Sequence, residues 1–202
     1  NYREFYEKRH FAPARATLQR SIHLQGVDVP FGPDLIFTVP RIGMSLHVEI
    51  CEDLWVPIPP STEAALAGAN VLVNLSASNV TIGKPDYRRL LCAAQSAKCV
   101  AAYLYSGAGP GESTTDLAWD GHTLIYENGD LLQEGERYPP APRIVCADID
   151  LDRLRQERMR LTSFGDCANE HRARLAGMHQ IALDAAPPMS EMPPRRSIHR
   201  LH

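Results

Sequence analysis

Met44-Ser45-Leu46-His47-Val48-Glu49-Ile50-Cys51-Glu52-Asp53-Leu54-Trp55 is an apolar run that stops abruptly at a cysteine flanked by acids. Met44 to Ile50 reads as a strand, and Leu35 to Val39 just upstream reads as another. Downstream, Ser61-Thr62-Glu63 opens a helical stretch that runs to about Ala69. A second αβ unit follows. Asn70 to Leu75 has the pattern of a short buried strand, Pro85 stands where the first turn of a helix accepts proline, and that helix extends to about Cys99. Val100 to Tyr105 reads as the next strand. Alternating strands and helices, with nearly continuous apolar strands, predict a parallel or mixed sheet covered by helices.

The pattern changes after Gly107. His122 to Tyr126 and Leu131-Leu132 flank Asn128-Gly129, a hairpin signal. Arg143 to Ile149 reads as one more strand. Leu151 to Arg160 has the charge density of an exposed helix, with Leu151, Leu154 and Met159 available to face inward. Residues 1–172 are assigned to one domain. The remainder, 173–202, with Ala185-Ala186-Pro187-Pro188 and Met192-Pro193-Pro194, reads as a linker-like tail. Cys92 and Cys99, seven apart on the predicted helix, share a core-like face, and Arg88 and Arg89 read as a solvated one.

The 202 residues are 44% apolar and 22% charged, a globular composition, and the net charge of -3 offers no electrostatic footprint for nucleic acid or anionic membrane. No apolar stretch approaches the roughly 18–20 residues that span a bilayer. The opening Asn1-Tyr2-Arg3-Glu4 is neither a signal peptide nor a helix start, so the chain reads as an internal piece of something longer. Five cysteines, an odd count without a Cys-x-x-Cys pair or a zinc-like His cluster, point to free thiols in a reducing cytoplasm and to no metal site.

Chemistry concentrates at Cys51. A nucleophile at a strand end is exposed to substrate, and the backbone N–H groups after it can face the oxygen that becomes negative when a carbonyl is attacked. On position alone, a small buried thiol is the alternative. A free thiol with a pKa near ~8.5 is only a few per cent thiolate at neutral pH, so Cys51 needs a base or cation. His47 shares its face on an extended strand, but at ~3.3 Å per residue it lies about 13 Å away, too far for proton transfer. A local Cys-His-Glu triad is therefore rejected. Ser113-Thr114-Thr115 lacks a Gly-x-Ser-x-Gly elbow, and Gly107-Ala108-Gly109-Pro110-Gly111 lacks the Lys-Ser/Thr of a phosphate loop, leaving it to shape a loop near the pocket.

Glu7-Lys8-Arg9-His10-Phe11 and Val48-Glu49-Ile50-Cys51-Glu52-Asp53 resemble the carbon-nitrogen hydrolase, or nitrilase, superfamily. With Pro57-Ile58-Pro59-Pro60-Ser61, Asn74-Leu75-Ser76-Ala77-Ser78 and Gly111-Glu112-Ser113-Thr114-Thr115-Asp116-Leu117-Ala118-Trp119-Asp120-Gly121, the resemblance narrows to the glutaminase domain of glutamine-dependent NAD synthetases. It covers roughly Asn1 to Arg172. The resemblance implies an α/β fold, the nitrilase-like αββα four-layer sandwich, here partial and lacking its first strands. It also implies a Glu-Lys-Cys triad in which Cys forms a thioester with L-glutamine while ammonia leaves. Cys51 matches the nucleophile, and Glu7 matches a second glutamate beside the triad, where the alternative is a loop ion pair with Lys8 or Arg9. The base Glu and the Lys precede the position matched by Asn1, so the isolated chain is expected to be inactive and poorly soluble.

The same resemblance assigns Tyr2, Ser78 and Lys84 to glutamine binding, with Glu52 and Trp55 lining the pocket. Lys84 departs from an expected arginine, keeping the charge while losing the bidentate fork; a solvated lysine before the helix is the other reading. No cofactor is expected within this chain. ATP and deamido-NAD belong to a synthetase domain whose Ser-Gly-Gly-x-Asp-Ser motif lies outside these residues. L-glutamine, that synthetase domain and further copies in a homo-oligomer are the implied partners. A free-standing nitrilase-type amidase or carbamoylase, and a non-catalytic oligomerisation module, are the rival readings.

Overall fold

The computed structural model describes residues 11–13, 16, 18–112 and 117–184. Two short strands, β1 (Ser21–Leu24) and β2 (Val27–Pro30), form a separate antiparallel hairpin. The main sheet is built from β3 (Leu35–Val39), β4 (Met44–Ile50), β5 (Val71–Ser76), β6 (Ala102–Gly107), β7 (Thr123–Glu127), β8 (Asp130–Glu134) and β9 (His179–Ala182). Its order is β8-β7-β6-β5-β4-β3-β9. β4, β5 and β6 run parallel, linked by α1 (Pro60–Leu66) and α2 (Lys84–Cys99), while β7 and β8 add an antiparallel edge. Among the described residues, α3 (Leu151–Arg160), α4 (Thr162–Glu170) and α5 (Arg172–Leu175) follow the antiparallel edge.

Side-chain alternation divides the sheet into two unlike faces. One face carries Ile36, Leu72, Tyr103, Tyr105, Leu124 and Tyr126, which join Ala64 and Ala65 of α1 and Cys92 and Cys99 of α2 in the larger core. On the other face Val71 and Ala102 pack with the fully buried Leu154 of α3, and Leu46, Val73, Leu104 and Phe164 flank them. Burying a side chain the size of Leu154 is worth about 1.5–3 kcal/mol. That cover reaches only one end of the face, since Ile50 is 44% and Leu75 49% exposed. In a four-layer sandwich this apolar face meets a second sheet.

The hairpin expected at Asn128-Gly129 joins β7 to β8 with φ of 49° and 89°, the left-handed pair that a two-residue primed turn requires. Strands β3 and β4 and helix α3 have the expected bounds, and Cys92 and Cys99 are buried. Four expectations need correction. Arg143 to Ile149 forms no strand: it alternates in exposure, with Ile144 91% exposed, but takes no place in a ladder, and Asp150 N–H binds Glu127 Oε2 instead. Met159 faces solvent, because Leu151 and Leu154 already fill the contact with the sheet. Arg88 is buried, leaving Arg89 as the more exposed of the pair. Finally, α5 runs on from Arg172 and β9 follows it, so part of the segment assigned to a linker is helix and sheet.

Glu49 is buried on the helix side, accepting Ser61 N–H at 3.0 Å and the Tyr103 hydroxyl. Burial pushes its carboxyl above the usual carboxylate range, although both hydrogen bonds pull it down. A group raised on folding stabilises below its unfolded value and loses that contribution as pH rises through the folded value. Wild type should therefore lose stability relative to Glu49→Gln as pH rises upward from about 4.5 in paired urea titrations, and a gain would contradict this. Gly129→Ala should cost about 1–2 kcal/mol through the left-handed backbone alone, and more because a Cβ would stand 3.0 Å from Ala97 Cβ. Unfolding followed by tryptophan fluorescence reads that loss; an unchanged midpoint would refute the turn assignment.

Candidate active site

β4 ends at Ile50, and Cys51 opens a tight helical turn, Cys51–Trp55, with φ of 51°. A left-handed cysteine is uncommon, and it reverses the chain at the carboxyl end of a parallel strand, where open α/β sheets place their ligands. Asn74 Nδ2 on β5 donates to the Cys51 carbonyl at 3.1 Å, and Asp53 Oδ2 accepts the Ile50 N–H at 2.9 Å. Leu54 anchors the turn in the core. Cys51 is itself 6% exposed. The first N–H groups of a helical turn lack intrahelical acceptors and are the kind of donor that can face a developing oxyanion.

The residues after Cys51 meet the start of α2. Trp55 stacks at a tilt on Tyr87, ring centroids 5.1 Å apart, and the Lys84 ammonium lies 5.3 Å from the centre of the Trp55 ring. Lys84 donates to Asn79 Oδ1 at 2.7 Å. Burial and the neighbouring Arg88 guanidinium lower the Lys84 ammonium below the usual lysine range, while charges on Cys51, Glu52 and Asp120 pull it back up. Glu52 keeps one buried carboxylate oxygen, Oε2, without a hydrogen-bond partner among the described residues. Ser78 is buried, its carbonyl accepting from Arg88.

Thus Cys51, Glu52, Trp55 and Lys84 are brought together, with Ser78 attached through Arg88. Glu7 and Tyr2 lie outside the described residues, as do Ser113, Thr114 and Thr115. His47 is buried and bonded through Nδ1 to the Leu35 carbonyl, a structural role. No cluster of His, Cys, Asp and Glu among the described residues suits a metal, and no described helix is long and apolar enough to cross a membrane.

Sequence reasoning missed the support beneath these groups. Arg88 follows Lys84 by four residues, a spacing that places both on one helix face, and Trp119-Asp120-Gly121 supplies its buried carboxylate. Burial would raise the Asp120 carboxyl, but Arg88 and Arg137 outweigh it and hold the group below the usual range.

The sheet order, the strand-end cysteine turn and the helix-covered face make up a fold shared with the nitrilase, or carbon-nitrogen hydrolase, class. The carbon-nitrogen hydrolase of Helicobacter pylori shares its fold with a TM-score of 0.51 at 17% identity over 59% of this chain and 44% of that one. Within that likeness the chain is similar in sequence to glutamine-dependent NAD(+) synthetases. It is 50% identical over 200 residues to those of Mycobacterium tuberculosis and Mycobacterium leprae, a match taking in 98% of this chain. It spans 29% of the length of those relatives. A solved glutamine-dependent NAD(+) synthetase from Cytophaga hutchinsonii matches with a TM-score of 0.55 and 28% identity, over 65% of this chain and 20% of that one. No protein-family model matches the chain.

Burial drives the Cys92 thiol upward and pushes Cys99 up to about 11, whereas Cys146 is exposed. In the native protein, iodoacetamide should modify Cys146 and Cys51 while sparing Cys92 and Cys99 until denaturant is added. Native labelling of Cys92 ahead of Cys51, read by peptide mass mapping, would contradict this arrangement.

Proposed function

We propose that this chain supplies the cysteine side of a glutaminase site whose ammonia serves ATP-dependent amidation of deamido-NAD to NAD by a synthetase domain outside these residues. The opposed charges around Cys51 carry the reading. The unpartnered Glu52 oxygen is an acceptor suited to the α-ammonium of an amino acid, and the Lys84 ammonium beyond Trp55 is suited to its α-carboxylate. Trp55 offers an apolar wall to the methylene stem between them. Cys51 opens the strand-end turn beside them, and in this reading it is the group that attacks the side-chain amide.

Cys51 Sγ adds to the amide carbon of L-glutamine, and the carbonyl oxygen takes the negative charge facing the N–H groups of the turn. Collapse of this adduct breaks the C–N bond after the nitrogen has accepted a proton, releasing ammonia and leaving a thioester. Water then attacks the thioester, giving glutamate and restoring the thiol. In this reading the family resemblance assigns the base Glu and the charge-stabilising Lys to residues outside this chain, Glu7 to a glutamate supporting the triad, and Tyr2 and Ser78 to glutamine binding.

In the full reading frame, Cys51→Ala should abolish glutamine-supported NAD formation while preserving the ammonia-supported reaction. Lys84→Ala should raise the KM for glutamine by about tenfold or more with a smaller effect on kcat, as expected for loss of a binding contact. Survival of glutamine-supported activity in Cys51→Ala would overturn the assignment. Hydrolysis of simple amides without any synthetase activity would favour the free-standing amidase.

A further inference from the structure

Arg88 is 1% exposed and uses its guanidinium to hold two separate loops. Nη1 donates to both carboxylate oxygens of Asp120 at 2.9 Å, and Nη2 donates to the carbonyls of Ser78 at 2.8 Å and Asn79 at 3.0 Å, with the Ser78 hydroxyl at 3.3 Å. The guanidinium carbon lies 5.9 Å from the centre of the Tyr105 ring. Asp120 is held on its other side by Arg137, and the Tyr138 N–H donates to its carbonyl. The Val80 N–H also binds the Ala118 carbonyl, so the two loops touch beside the guanidinium.

Asn79 is the residue whose side chain accepts from Lys84. Arg88 therefore grips the backbone of the same loop whose amide orients the Lys84 ammonium, and it stands one helical turn behind Lys84 on α2. A lysine at position 84 has a single flexible ammonium, so its direction depends on what it is bonded to. We propose that Arg88 is a positioning residue for recognition of the glutamine α-carboxylate. It fixes the loop of Ser78 and Asn79 against Asp120 so that Lys84 and Ser78 face the substrate, and it does not itself touch the reacting amide. The two terminal nitrogens of a planar fork make these bonds at once, and the single nitrogen of lysine cannot replace them. The inference rests on the glutaminase reading above.

The test compares two electrophiles on the full protein. The diazoketone analogue of glutamine carries the α-carboxylate and alkylates the nucleophile only when bound as an amino acid; iodoacetamide is small and uncharged. Arg88→Lys should slow alkylation of Cys51 by the diazoketone by about tenfold or more while leaving the iodoacetamide rate within about twofold, and should raise the KM for glutamine with kcat largely kept. Equal slowing of both reagents, or an unchanged KM, would overturn the proposal and leave Arg88 a merely structural residue. Failure of the diazoketone to label Cys51 in the wild type would instead sink the glutaminase reading, and this inference with it. Should Arg88→Lys not fold, Asp120→Asn, which keeps the fork but removes its counter-charge, carries the same selective prediction at smaller size.

Discussion

Everything at the carboxyl end of this sheet depends on holding one cysteine in the left-handed region. A non-glycine residue there costs on the order of 1–3 kcal/mol and persists only where its surroundings over-determine it. Here they do: the Cys51 carbonyl is tied to Asn74 on the next strand, Asp53 closes the turn on the Ile50 N–H, and Leu54 is sunk in the core. The strain is thus borne by a buried turn, and the thiol's position is inherited from the pairing of β4 with β5.

Around that point charge is arranged in tiers. Closest to the turn are Glu52 and Lys84, of opposite sign and partly exposed to what would bind them. Behind lies the buried Arg88–Asp120 pair, bonded on nearly every side and extended by Arg137. Buried pairs of this kind seldom add net stability, yet removing one partner strands the other at a cost of about 3–5 kcal/mol, so they specify geometry more than they strengthen a fold. Helix α2 delivers both cations from one face, while Arg89, the next residue, turns outward to Glu134 and Asp86.

Much of this was legible in the chain because strand and helix periods were strong in the middle. The apolar run of Met44 to Ile50, the β-branched and Leu-rich one near Val71, the proline at the head of α2 and the Asn128-Gly129 turn each carry their own local physics. Legibility failed where the outcome rested on partners distant in sequence. Arg143 to Ile149 alternates like a strand but finds no neighbour to bond, and His179 to Ala182 looks unremarkable until β3 offers it an edge. Arg88 failed for a different reason: composition assigns arginine to water, and only the approach of Asp120 and two loop carbonyls makes burial tolerable. Cys51 and its neighbours were readable because the site is contiguous there; its clamp was not, because it is assembled from three segments.

The β3–β9 pairing bears on how the chain acquires its structure in time. β4, α1, β5, α2 and β6 follow one another directly, so their contacts close short loops and can form early. Leu35 and His179, by contrast, meet only after nearly the whole described chain has been gathered between them. Closing so long a loop defers that contact, and a four-residue edge strand with little burial has the features of a region that opens readily. Until β9 docks, β3 presents bare peptide groups to any passing strand. Docking of β9 therefore covers β3 and moves the open edge outward to a shorter strand of four residues, which offers fewer bare peptide groups for mispairing.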